Sequence, residues 1–115
     1  MNISEQLKNE ILNIIFKHIN KNNCLIFLFG SYACNKVKQS SDIDIGIISK
    51  SVISLDNLLK IKEDLNENTS TLRNIDLVDF GQNLEKDFIK IALERIEIWH
   101  KTKELEAVLN NFKKH

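Results

Sequence analysis

The chain has no proline, only three glycines in 115 residues, and no excess of either charge, with sixteen basic residues set against sixteen acidic ones. Without proline, nothing obliges a helix to break or keeps a strand out of the middle of a sheet. The punctuation must come from polar segments and from Gly30, Gly46 and Gly81. The balanced charge leaves no global field to gather nucleic acid or an anionic membrane, so direct nucleic-acid binding is not expected. Long hydrophobic runs are missing as well. The longest, Cys24-Leu25-Ile26-Phe27-Leu28-Phe29, falls far short of the ~20 residues that span a bilayer. Met1-Asn2-Ile3-Ser4-Glu5 has neither the basic start nor the apolar stretch of a signal peptide. No membrane association is expected, and a cytoplasmic location is. Two cysteines, Cys24 and Cys34, make neither a disulfide framework nor a metal knuckle. Cys24 reads as apolar filler in a strand and Cys34 as a loop residue. His18, His100 and His115 are scattered, and none is assigned a role.

What is present is ordinary for a globular protein, with 43% hydrophobic and 28% charged residues. The length suits a single domain over 1–115, with a core over 1–100 and a C-terminal helix over 102–114. Leu7, Ile11, Ile14, Ile15 and Ile19 recur at three- and four-residue spacings, which predicts an amphipathic helix from Ser4 to Asn20 with Ser4 as its cap. Cys24 to Phe29 reads as a strand covered on both faces, ending abruptly at Gly30-Ser31. A polar segment from Asn35 to Ser41 leads to a second strand, Asp42 to Ile48. Ser54 caps a second helix whose stripe is Leu55, Leu58, Leu59 and Leu65, followed by a polar connection from Asn66 to Arg73. Asn74 to Phe80 is a third strand, and Asn83 caps a third helix.

From Leu84 to Phe112 propensity alone allows one long helix. The alternating, β-branched Ile96-Glu97-Ile98-Trp99 favours a fourth strand instead. Thr102 would then cap a last helix bearing Leu105, Val108, Leu109 and Phe112, a stripe expected to pack on its own sheet. Trp99 fits a contact surface or a core edge equally well. Strands separated by helices imply an α/β (α+β) arrangement, two- or three-layered, around a small sheet.

The chemistry concentrates between Gly30 and Asp44. Asp42 and Asp44, one residue apart on a strand, project from one face while Ile43 and Ile45 pack inward. Two adjacent carboxylates repel, and a cation between them relieves that repulsion. Magnesium suits oxygen ligands and keeps positions open for phosphate oxygens. Taken alone, Asp-x-Asp is the everyday pattern of a solvated strand face; its neighbours alter that balance. Gly30 lets backbone amides approach a ligand, and the hydroxyls of Ser31 and Ser41 suit phosphate. Lys36 and Lys38 lie in the same connection. Asp76, in an otherwise apolar strand, must be solvated, paired or on a metal. If its strand lies beside that of Asp42, it can reach the same site and orient or deprotonate an attacking hydroxyl. Asp79 is the second choice, more at home in a turn.

The run Gly30-Ser31-Tyr32-Ala33 with Ser41-Asp42-Ile43-Asp44-Ile45, followed by Ile75-Asp76-Leu77-Val78-Asp79, resembles the DNA polymerase β-type nucleotidyltransferase superfamily. Within it, the pattern is most similar to the minimal nucleotidyltransferases, the MntA-like partners of HEPN-domain proteins. The resemblance runs from the first helix through Trp99. It implies a small mixed sheet flanked by helices that binds a nucleoside triphosphate, ATP as donor, with two Mg²⁺ ions. Gly30, Ser31 and Ser41 would bind the nucleotide, Asp42 and Asp44 would hold the metals, and Asp76 would be the third catalytic carboxylate and metal ligand. It further implies an antitoxin that adds AMP to a tyrosine of a HEPN ribonuclease toxin within a hetero-oligomer. Two departures stand out. Asn35 occupies a position where the family often has glycine, and asparagine tolerates a left-handed backbone. The family's arginine near Cys34 is missing, and Lys36 or Lys38 could substitute.

Three functions follow from these residues. A chain this short carries a catalytic sheet with no evident domain for a large acceptor, so the acceptor is expected from another protein. A nucleotide-binding antitoxin that masks its HEPN partner without catalysis is the alternative. Transfer to a small molecule, as in aminoglycoside-modifying relatives, fits less well because those chains carry an extra helical domain.

Overall fold

The computed structural model describes residues 3–38 and 40–114; Met1, Asn2, Gln39 and His115 lie outside the described residues. Helix α1 (Glu5–His18) starts where the Ser4 hydroxyl accepts a hydrogen bond from the Leu7 amide at 3.1 Å, which satisfies one donor of the first turn. A 3-10 turn, Lys21–Asn23, feeds strand β1 (Cys24–Phe29). Strand β2 (Ile43–Ser49), helix α2 (Leu55–Glu67), strand β3 (Ile75–Asp79), helix α3 (Lys86–Ala92), strand β4 (Glu97–His100) and helix α4 (Lys103–Lys114) follow. The strand order is β3-β2-β1-β4, with β1 antiparallel to both β2 and β4 and β2 parallel to β3. The sheet is therefore mixed, as the resemblance implied. Among the described residues no helix is long and apolar enough to cross a membrane.

Period-two alternation sorts each strand between two helical layers. Cys24, Ile26 and Leu28 of β1, Ile43, Ile45 and Ile47 of β2, and Ile75 and Leu77 of β3 pack with Ile11, Ile14 and Ile15 of α1 and Ile61 and Leu65 of α2. Leu25, Phe27, Phe29 and Ile48 turn the other way, toward Ala92 and Leu93 and toward Leu105 and Leu109 of α4. Every residue of β1 is buried, which is why its sequence is continuously apolar rather than alternating. Gly46 lies under the Phe27 ring, where a Cβ would collide with it.

Several expectations shift. In α2 the buried residues are Ile61 and Leu65, with Leu58 partly buried, whereas Leu55 and Leu59 are 69% and 51% exposed. The helix turns its 58–61–65 line inward, and Ile61 outweighs two leucines that a count of apolar residues favours. Asn66 belongs to α2 rather than to a loop. Its side-chain amide accepts from Ile75 N at 2.8 Å and donates to Ile75 O at 2.9 Å, serving as a surrogate strand partner for the edge strand β3. Helix α3 begins later than expected: Glu85 is its cap residue and makes no side-chain cap bond, so Asn83 does not cap it. The strand-then-helix reading of the C-terminal stretch holds. The Thr102 hydroxyl accepts from Leu105 N at 3.2 Å, and Leu105, Leu109 and Phe112 pack on the second layer while Val108 is exposed. Trp99 packs at the edge of the first layer, its indole N–H buried without a hydrogen-bond partner.

Candidate active site

At the end of β1 the chain makes one helical turn. Cys34 N donates to Gly30 O at 3.1 Å and Lys36 N donates to Ser31 O at 3.0 Å. Gly30 has φ 73° and Asn35 has φ 57°. Both are left-handed, and asparagine is among the few non-glycine residues that adopt this conformation readily. The Asn35 departure from the family pattern is thus accommodated. Gly30 is constrained a second way, since a Cβ there would fall onto Oδ2 of Asp44. The turn backbone and the Asp44 carboxylate touch directly, and glycine is the residue that permits it.

The carboxylates form a row. Phe29 of β1, Asp44 of β2 and Asp76 of β3 sit in one register across three strands, and parallel pairing places neighbouring backbones about 4.8 Å apart. Asp42 immediately precedes β2 and is exposed, whereas Asp44 is half-buried. Burial pushes the Asp44 carboxyl up to about 6, and the nearby charges of Asp76 and then Asp42 add to the effect. Asp76 faces the same side and meets Lys62 Nζ of α2 at 3.6 Å around the sheet edge. The expected condition, that the Asp76 strand lie beside the Asp42 strand, is met.

Asp79 is buried at the far end of β3, where Oδ1 accepts from Gly81 N at 2.9 Å and Oδ2 from Gln82 Nε2 at 3.3 Å. It closes a turn and stands apart from the row. Among the described residues no three His, Cys, Asp or Glu side chains are already gathered as a ligand cage. Asp42, Asp44 and Asp76 are the side chains that could converge on a cation, being hard oxygen donors in mutual repulsion.

Ser41 has a local job: its Oγ accepts from Lys38 N at 2.8 Å, and Ser41 N returns a bond to Lys38 O at 3.0 Å. Lys36 and Lys38 are exposed on this loop. Arg73, read from sequence as part of a polar connection, is the residue that sequence reasoning missed. Its Nη1 donates to Lys38 O and to Ser41 O, both at 3.0 Å, and its guanidinium lies 5.7 Å from the Tyr32 ring centroid. It fastens the loop leading into Asp42 to the segment leading into β3. An arginine two residues before an apolar strand was the available signal, but its targets are 32 and 35 residues away. A cavity of 640 Å³ lies beside Asp42, lined by Ser40, Ser41, Ser70, Thr71, Leu72, Arg73 and Asn74.

A glycine turn pressed against carboxylates on a mixed sheet is an arrangement suited to a nucleotide and a cation. The profile of the polymerase beta nucleotidyltransferase family matches residues 6–104, and the chain belongs to that family. A protein of Methanocaldococcus jannaschii, provisionally named a protein adenylyltransferase, is 42% identical over 67 residues, covering 58% of this chain and 68% of the relative. Two solved structures share the fold. A toxin-antitoxin structure with AMP-PNP has a TM-score of 0.75 at 21% identity, covering 93% of this chain and 84% of that one. A complex of tri-AMPylated Shewanella oneidensis HEPN toxin with MNT antitoxin has a TM-score of 0.69 at 20% identity, covering 93% and 81%.

Proposed function

We propose that this chain transfers AMP from ATP, with Mg²⁺, onto a hydroxyl of a protein partner, a tyrosine of a HEPN ribonuclease toxin, and thereby acts as the antitoxin of a cytoplasmic pair. The observation that carries the reading is the register of Asp44 with Asp76, with Asp42 one step away and the Gly30 turn against the Asp44 carboxylate. The adenylyl donor and the toxin partner follow from the names of the relative and of the two complexes with the same fold.

The residues fit the metal they would hold. Asp44 binds a proton more tightly than an ordinary carboxylate because it is partly buried beside like charges, and a divalent cation relieves the same strain. Asp42 and Asp44 would hold two Mg²⁺ ions, with Asp76 on the catalytic one; bound there, the pair supplies charge neutralisation at the attacking and leaving oxygens. The amides of Gly30 and Ser31 cradle the triphosphate, and the hydroxyl of Ser41, whose oxygen also accepts from Lys38 N, adds a donor to it. Asp76 orients the acceptor hydroxyl and receives its proton. The hydroxyl oxygen bonds to the α-phosphorus, the bond from that phosphorus to the bridging oxygen breaks, and pyrophosphate departs with the electron pair.

Mixing the protein with Mg²⁺, each labelled nucleoside triphosphate and the HEPN protein tests this. Label should appear on the partner, and Asp42→Asn with Asp44→Asn should reduce it on the order of a hundredfold or more. Silencing of the partner that survives both substitutions, without label, would replace catalysis by masking.

A further inference from the structure

On the face of the sheet that α3 and α4 cover, the same face as the carboxylates, four phenylalanine rings cluster. Phe27 and Phe80 centroids are 5.0 Å apart, Phe29 and Phe80 5.4 Å, and Phe29 and Phe88 6.3 Å. Phe27, Phe29 and Phe80 are buried, whereas Phe88 of α3 is 40% exposed. Phe88 stacks on Phe80 at 25° between ring planes and 6.0 Å between centroids, so one of its faces is occupied by Phe80. Next to it on α3, Ile91 is also exposed. Phe88 is thus a half-exposed aromatic at the end of an otherwise buried cluster, which carries a cost in apolar exposure.

Its position gives that exposure a use. Phe29 pairs with Asp44 across the strands and meets Phe88 edge-on, at 90°. The order is therefore Asp44, the buried Phe29, then the half-exposed Phe88. A nucleotide laid over the same surface runs phosphate, ribose, base. We propose that Phe88 is the stacking platform for the nucleobase of the donor nucleotide, with Ile91 completing its apolar rim. This rests on the assignment of the carboxylate row as the phosphate and metal end of the site. Base stacking on an aromatic residue is sequence-tolerant, so the platform supplies affinity while leaving discrimination among bases to other groups.

Titration calorimetry of the full chain with Mg²⁺ and either ATP or inorganic tripolyphosphate tests the assignment. Phe88→Ala should weaken ATP binding roughly five- to a hundredfold, the range that loss of one base stack produces, and leave tripolyphosphate binding unchanged. Phe88→Leu, which retains apolar packing against Phe29 and Phe80, should show the same selective loss, while Phe88→Trp should restore ATP binding. Unchanged ATP affinity in Phe88→Ala and Phe88→Leu would overturn the platform. That includes the case in which only the partner's KM rises, which would make Phe88 and Ile91 a protein-docking patch. If the unmodified chain binds tripolyphosphate and ATP equally well, the base has no seat and the proposal fails while the phosphate site stands. If it binds neither, the proposal falls together with the functional reading beneath it.

Discussion

Two aspartates on opposite sides of one sheet have their proton affinities shifted in opposite directions. Asp64 of α2 accepts from or pairs with His18 of α1 at 2.8 Å, takes a bond from Asn68 and lies 3.6 Å from Lys17. The His18 hydrogen bond, followed by that of Asn68, holds its carboxyl below the usual value. Asp44, on the other side, is pushed up by burial and by Asp76 and Asp42. The first side is a sealed, mainly aliphatic layer in which Asp64 has its partners, although the Trp99 indole N–H at its edge has none; the second is aromatic, and it gathers Asp42, Asp44 and Asp76, with Lys62 beside Asp76. Folding favours the first arrangement, and ligand binding is the usual reason for a protein to carry the second.

The largest effect on folding should come from the sealed side. Ile15→Ala removes a fully buried side chain and should cost about 2–5 kcal/mol in urea unfolding, with nucleotide binding per folded molecule unchanged. A loss of binding at full stability would break the division between the two sides. Gly30→Ala should cost about 1–2 kcal/mol from the left-handed backbone, and it also drives a methyl onto Asp44, so binding of Mg²⁺ and ATP should fall further than stability does. Equal losses would mean that the turn is only structural.

Asp44→Asn should raise stability of the metal-free protein. The folded Asp44 has the higher proton affinity, so its favourable contribution is full below the ordinary carboxylate value near 3.8 and is lost as pH rises through about 6. Thermal melts of the two proteins should coincide in acid and separate above pH 6 by roughly 1 kcal/mol, screening allowed for, with the variant more stable. Added Mg²⁺ should stabilise the unsubstituted protein and close that gap. Asp64→Asn should have the smallest effect, about 0.5 kcal/mol, and the opposite pH sense. Asp64 has a depressed value, so its contribution is present at neutral pH and disappears as pH falls through that depressed value. If both variants shift stability in the same sense at pH 8, the contrast between the two sides is wrong.

Much of this was legible from sequence, for identifiable reasons. The capping serines Ser4 and Ser54 and the cap Thr102 all accept the amide hydrogen bond expected of them, because capping is settled within three residues. The continuous run Cys24 to Phe29 reads as a doubly covered strand and is one. The candidate carboxylates stood out because Asp76 interrupts an apolar strand and Asp42 and Asp44 share a strand face. What misled was a stripe chosen by residue type: Leu55 and Leu59 are as apolar as Leu58 and Leu65, yet they face outward. An amphipathic pattern with surplus leucines fits more than one rotation of a helix, and packing against α1 and β3 selects one of them.

By itself the sequence determined the order of the first three strands and first two helices, the inward turn of Ile43 and Ile45 against Asp42 and Asp44, and the abrupt end of β1 at Gly30. These depend on neighbours a few residues apart, where sterics and period-two or 3.6 alternation act directly. The tertiary structure alone decided that β3 runs parallel beside β2, that Asp76 is opposite Asp44, that the Gly30 backbone touches that carboxylate, and that Arg73 reaches back to Lys38 and Ser41. Such pairings join segments separated by a whole helix or loop. They are selected by how two helical layers bury one sheet, a nonlocal free energy that no short stretch of sequence contains.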